Sequence, residues 1–347
     1  MHTRRRGPGA RVLAPIAMVL AIVTACGSSG TTDTTEQDTT VAGDLGVVAA
    51  DPVTSPAPTR LPDGTVAEAP TIVEMVGDEG SDQLVALLND RRQLAVYNRA
   101  DPTTPTRVVN APDSARSISA GPNGTVLIVT DAGVDVLDPA SGALSTIDPD
   151  TDATPTAAAA WGDGYAIGTD DGAVHLINAD GSAERTITGL GGIDRILARP
   201  EAVSVIDRVQ SSVRSVDLDD NRAGPALRAG EGVGTAVGSA DGTIVSTDVR
   251  DGELLVFTDD PLVLRQRFPV PDGPFAVAYD SGTGLVWVTV TGLNEVVEWD
   301  ISEGIPVESR RFRTVQQPNS LVFDRQSGDL FVGSAVGGGL QRIPTRS

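Results

Sequence analysis

One pattern recurs seven times between residues 70 and 347: a short apolar strand, a Gly- or Asx-bearing turn, a second apolar strand, a polar turn, a third strand and a weaker fourth. The second strands align on Val85, Val126, Tyr165, Val203, Ile244, Val286 and Phe331, at steps of 38 to 45 residues. Four short strands per unit, at a period near 40, are the signature of a β-propeller. Helical periodicity is absent, and turns interrupt the pattern every 8–12 residues. Counting back from each anchor, the first strands start at Thr71, Arg116, Thr156, Asp194, Gly234, Phe275 and Asn319. Pro70, Pro155, Pro274 and Pro318 precede four of these starts. Proline is tolerated where a strand begins, because no ladder N–H is required there.

The expected fold is therefore all-β, a seven-bladed propeller over residues 64–347. A single blade exposes both faces of a small sheet, and only stacking on neighbours buries them, so the ring must close. The seventh unit holds three strands: "SLVFD" (320–324), "LFVGSA" (330–335) and "GLQRIP" (339–344). Its fourth is expected from "GTVAEA" (64–69), which would join the two ends of the ring.

The first 26 residues have another organisation. Arg4, Arg5, Arg6 and Arg11 make a basic start, "VLAPIAMVLAIV" (12–23) an apolar core, and "VTAC" (23–26) the end. The core is short for a membrane span and its flanks match a secretory signal. Ala25 is followed at once by Cys26, the only cysteine in the chain. This resembles the bacterial lipobox. The resemblance implies acylation of the Cys26 thiol, removal of a signal peptide at 1–25, and a cell-membrane lipoprotein on the extracytoplasmic face. A lone cysteine would otherwise be a free thiol in an oxidising compartment. Residues 26–63, rich in Gly, Ser, Thr, Asp, Ala and Pro, are expected to form a flexible linker with an r.m.s. span of roughly 30–35 Å.

The formal net charge is −21, and every basic residue is arginine. Such a surface repels phosphate backbones and argues against nucleic acid as a partner. The expected partners are the membrane, through Cys26, and a protein or envelope component at the ring.

Catalytic chemistry finds little support in the residue types. Beyond His2 there is only His175, in the third strand "AVHLIN", where a half-buried strand histidine is the simplest reading. Asp148, Asp150 and Asp152 alternate like the start of a calcium loop. Ala153 stands where that loop needs Gly, and Ala159 where it needs Glu, so a solvated turn is expected. No metal or cofactor is expected. The Arg pairs at 91–92 and 310–311 read as rim salt bridges.

In a propeller, the starts of the first strands and the turns between second and third strands share one face, around the central channel. The starts supply Arg116, Asp194, Arg195, Phe275 and Asn319 as candidate ligand-binding residues. The turns supply Asp131, Asp170, Arg208, Arg250 and Asn294. Such a set either holds a small polar or carboxylated ligand or consists of groups that satisfy one another and water.

The stretch "VVEWDISEG" (296–304) resembles the third-strand pattern of YVTN/NHL-type propellers. "DPLVLRQRFPV" (260–270) and "GIPVESRRFRTVQQPNSLVFD" (304–324) are similar to LppL-like lipoproteins of mycobacteria and other actinobacteria. The resemblance implies an exported, lipid-anchored propeller and no defined reaction. The leading functional expectation is a non-catalytic binding or scaffolding module. The alternative is a propeller lactonase- or hydrolase-type enzyme with a polar site at the channel mouth.

Overall fold

The computed structural model describes residues 48–346, apart from 78–80 and 89. The expected signal peptide at 1–25, Cys26 and the expected linker as far as residue 47 lie outside the described residues.

Seven four-stranded antiparallel sheets make the ring. Blade 1 is Ile72–Val76, Gln83–Leu88, Gln93–Asn98 and Arg107–Asn110. The first strands of blades 2 to 7 are Ser117–Ala120, Pro155–Trp161, Arg195–Arg199, Val233–Gly238, Pro274–Asp280 and Pro318–Asp324. Each lies within one residue of the start expected from the repeat. These first strands contact one another in succession, and those of blades 1 and 7 meet, so they line the channel.

The core is seven separate layers, one at each blade interface. Successive strand residues point to opposite faces, and both faces of a blade are covered. In "QLVALL" (83–88), Val85 and Leu87 pack with Ile118, Val126 and Ile128 of blade 2. Leu84, Ala86 and Leu88 pack with Val322, Phe331 and Leu340 of blade 7. The remaining layers join blades 2–3, 3–4, 4–5, 5–6 and 6–7. This explains why the second strands read as unbroken apolar runs instead of alternating ones. The layer between blades 6 and 7 carries a cluster of aromatic rings. There Trp287, fully buried, stacks on Phe323 at 6.1 Å under the Arg310 guanidinium at 5.2 Å.

Blade 7 is completed by Thr65–Ala67, which pairs antiparallel with Leu340–Pro344: Thr65 opposite Arg342, Val66 opposite Gln341, Ala67 opposite Leu340. Gly64 makes the approach possible. Its φ is +73°, and a Cβ there would lie 2.1 Å from the Arg342 carbonyl oxygen. Gln341, fully buried, fixes the junction: its amide donates to the carbonyls of Asp63 (2.6 Å) and Arg313 (2.9 Å) and accepts the Val315 N–H (2.9 Å). The Asp63 carboxylate accepts the Arg313 N–H at 2.7 Å and binds its guanidinium. Those Arg313 hydrogen bonds hold the Asp63 carboxyl below the usual carboxylate range. This contribution is present above the unfolded-state pKa and fades as pH falls through the folded-state value.

Residues 48–63 do not form free linker. They run across the ring face, with Ala50 and Ser55 buried. What holds the segment is a surface built by other blades.

Two substitutions test this architecture. Trp287→Ala, which opens a void in one inter-blade layer, is expected to cost roughly 3–5 kcal/mol, measured by chemical denaturation. Gln341→Ala leaves buried partners unpaired and is expected to cost about 1–3 kcal/mol. Amide exchange should accelerate at Thr65–Ala67 before it does in blades 2 to 5.

Candidate functional site

The inner-strand starts and the turns between second and third strands do share one face, here called the top. The five candidate residues sit there, each engaged by a neighbour. The Arg116 guanidinium pairs with Asp131, Nε to Oδ1 at 2.7 Å. Asp194 accepts the Arg208 N–H at 2.6 Å. Phe275 packs against the layer between blades 6 and 7, and its carbonyl accepts the hydroxyls of Thr235 (2.6 Å) and Thr247 (2.8 Å). Asn319 Oδ1 accepts from the Gln317 amide at 3.1 Å. Among the described residues, none of the five hydrogen-bonds another of the five.

Arg195 reaches furthest. Its Nη2 donates to Glu74 Oε1 at 2.9 Å, from the inner strand of blade 4 to that of blade 1. Glu74 Oε2 accepts the Ile118 N–H of blade 2 at 2.9 Å. The pair forms a bar across the channel. Glu74 escaped the sequence reading because a single acid in "IVEMV" carries no signal until the ring brings blade 1 opposite blade 4.

Turn residues of blades 4 to 7 hold the strap of residues 48–56. Arg250 donates to the Val48 carbonyl at 2.7 Å, Arg208 to that of Ala50 and Asn294 to that of Pro56 at 2.9 Å. Gln317 does most: Nε2 donates to Val53 O, Oε1 accepts the Ser55 N–H, and its own N–H donates to Ser55 Oγ, each at 2.9 Å. Thus Arg208, Arg250 and Asn294, expected at the mouth, face a segment of their own chain. Asp170 accepts the Thr154 N–H at 3.0 Å.

The strap leaves the sector over blades 1 and 2 uncovered. A cleft of about 540 Å³ opens there, lined by residues 90–92 and 110–115. Three non-glycine residues in it have left-handed φ: Asp90 at 55°, Arg91 at 68° and Ser114 at 60°. Among the described residues, Arg91 donates only through Nε, to the Arg116 carbonyl at 2.6 Å. Arg92 makes no side-chain ion pair or hydrogen bond among the described residues. The expected rim salt bridges form at the other pair, where Arg310 binds Glu298 and Arg311 binds Glu295 and Glu308. At 91–92 they do not. Asp90 and Asp113 line the same cleft without pairing these guanidiniums, so it presents both signs of charge.

The remaining candidates are structural. The Asp148 carboxylate accepts the Asp150 N–H at 2.9 Å, closing its own turn. Asp248, Asp251 and Glu253 lie together, but Asp248 accepts four backbone N–H groups, of Glu231, Gly232, Arg250 and Asp251. Arg267 binds the other two carboxylates.

His175 is buried between Thr186 Oγ1, at 3.2 Å from Nδ1, and Thr169 Oγ1, at 3.4 Å from Nε2. Burial lowers its pKa below the usual histidine value, partly offset by Asp171. The unfolded chain therefore takes up this proton first as pH falls. Stability should be complete above about pH 6.5 and decline as pH falls towards the folded-state pKa. The NMR titration midpoint of the His175 ring should lie below 6.5, and His175→Gln should flatten this part of the pH–stability curve.

No protein-family model matches the chain, and no curated protein matches it significantly. Among solved structures, U3-55K superposes with a TM-score of 0.68 at 14% identity, over 81% of this chain and 98% of its own. The hydrazine synthase of Kuenenia stuttgartiensis gives 0.63 at 13% identity, over 81% of this chain and 97% of its own. In all, 1473 solved chains match. Likeness so widespread, at such identity, shows the propeller fold and selects no function.

Proposed function

We propose that the chain is an extracytoplasmic lipoprotein, anchored through Cys26, whose propeller binds a partner without catalysis at the uncovered sector of its top face. The LppL-like segments and the lipobox support the anchor. The observation that carries the binding reading is the 90–92/110–115 cleft. In an acidic chain whose arginines are mostly held by carboxylates or carbonyls, Arg91 and Arg92 keep free N–H groups beside the mouth. A guanidinium presents a planar fork suited to carboxylate or phosphate oxygens, so the ligand class is an oxyanion-bearing group on a protein or envelope component. The hydrolase alternative needs carboxylates converging with an amide on one point. Asp131, Asp170 and Asp194 are each occupied separately, which favours binding.

Two measurements test this. In isothermal titration at low ionic strength, citrate and inorganic phosphate should bind the wild-type chain. Both should bind the Arg91→Gln/Arg92→Gln chain at least about 10-fold more weakly, roughly the loss of one charge-assisted hydrogen bond, and added salt should weaken both. Equal affinities would remove the cleft from the proposal. Separately, Cys26→Ser should release the protein from the membrane fraction and abolish metabolic labelling with an alkyne fatty acid.

A further inference from the structure

The strap is bound as a peptide ligand is bound. Nearly all its polar contacts are to its backbone, from Arg250, Arg208, Gln317 and Asn294. Among the described residues, its one side-chain hydrogen bond to the ring is at the Ser55 hydroxyl, which accepts the Gln317 N–H. Two glycines cut notches for its side chains. A Cβ on Gly232 would lie 2.8 Å from Ala50 Cβ, and one on Gly273 would lie 2.4 Å from Val53 Cγ2. Backbone hydrogen bonds supply affinity and alternate pockets supply specificity in extended-peptide recognition.

This segment contributes no strand to any blade. Blade 7 is completed downstream, by Thr65–Ala67. None of the seven inter-blade layers includes a residue from 48–56. Between strap and clasp lies an exposed stretch, 56–61, with Leu61 84% exposed. The strap can therefore leave the face while the ring stays closed.

We propose that the top turns of blades 4 to 7 form a peptide-binding groove, occupied in cis by residues 48–56, that accepts in trans an extended, proline-interrupted segment of a protein partner. The sequence it selects is the one these contacts describe: a small residue at the position of Ala50, a valine-sized one at Val53 and a hydroxyl at Ser55, on a backbone kept extended by proline. Prolines lower the entropy lost on binding because the free segment is already extended. The cis segment competes at the millimolar effective concentration of a short tether, so the groove answers only to a good match or a high local concentration. This inference is independent of the Arg91–Arg92 cleft, which lies in the other sector.

The test uses the full chain and a labelled peptide copying residues 48–58, VAADPVTSPAP, followed by fluorescence anisotropy. Ala50→Glu/Ser55→Glu, which misfits both buried strap positions, should bind the peptide at least 10-fold more tightly than wild type does. Adding Gln317→Ala should return binding to the wild-type level or below. An unchanged far-UV spectrum and cooperative melt would show the ring intact. A second arm avoids substitution: limited trypsin cleavage after Arg60 should leave the strap fragment bound in native mass spectrometry and exchangeable for labelled peptide. Failure of the strap variant to bind peptide, binding insensitive to Gln317→Ala, or a nicked ring that neither retains the fragment nor takes up peptide would each overturn the proposal. Arg91→Gln/Arg92→Gln should leave peptide affinity unchanged, so failure here leaves the oxyanion reading standing, and the reverse.

Discussion

Burial of both faces of every blade is the constraint from which the rest follows. A four-stranded sheet of this size leaves two apolar surfaces in water, and hydrophobic burial scales with the area removed. Here the burial is divided into seven layers of similar make-up, each shared by two neighbours. No layer exists until a second blade docks, and the seventh exists only when blade 7 meets blade 1. Closure is thus a packing event, contributed by Ile72, Met75 and Leu84 against Val322, Phe331 and Leu340. The strand Thr65–Ala67 then ties the two ends of the chain together through the hydrogen bonds of its pairing with Leu340–Pro344. Its pairing is short, and the buried Gln341 amide and the Asp63–Arg313 pair reinforce it on either side.

What the sequence made legible follows from this division. Strand positions were readable because the second strands must be apolar on both sides, which leaves runs such as "LVALL" and "LVWVTV" at a steady period. Proline and glycine marked the starts and turns for local steric reasons. The top-face residues were readable as positions, since ring geometry assigns them once the blades are counted. Their engagements were not. Glu74 meets Arg195 across 121 positions of sequence, and Gln317 meets Ser55 across 262. Nothing local marks such partners.

The strap shows why composition misleads at one point. Residues 48–63 are poor in large apolar groups, and on their own they cannot bury enough surface to fold. Yet a segment need not fold on its own to be ordered. Here the blades present donors and acceptors at the spacing of an extended backbone, and two missing Cβ atoms leave room for Ala50 and Val53. The signal lay in the ring's residues, Gly232, Gly273, Asn294 and Gln317, more than in the segment they hold. The pairs at 91–92 and 310–311 teach the same lesson in reverse. Identical dipeptides differ because Arg310 and Arg311 lie on an outer strand beside Glu295, Glu298 and Glu308, while Arg91 and Arg92 lie in a turn.

The bar formed by Glu74 and Arg195 also decides what kind of object the wheel is. With a carboxylate from blade 1 locked to a guanidinium from blade 4, and its second oxygen held by blade 2, the axle hole is crossed by a spoke. Among the described residues, blades 1 and 4 share no packed layer, yet this spoke joins them directly, so a displacement of one inner strand is felt on the far side of the hub.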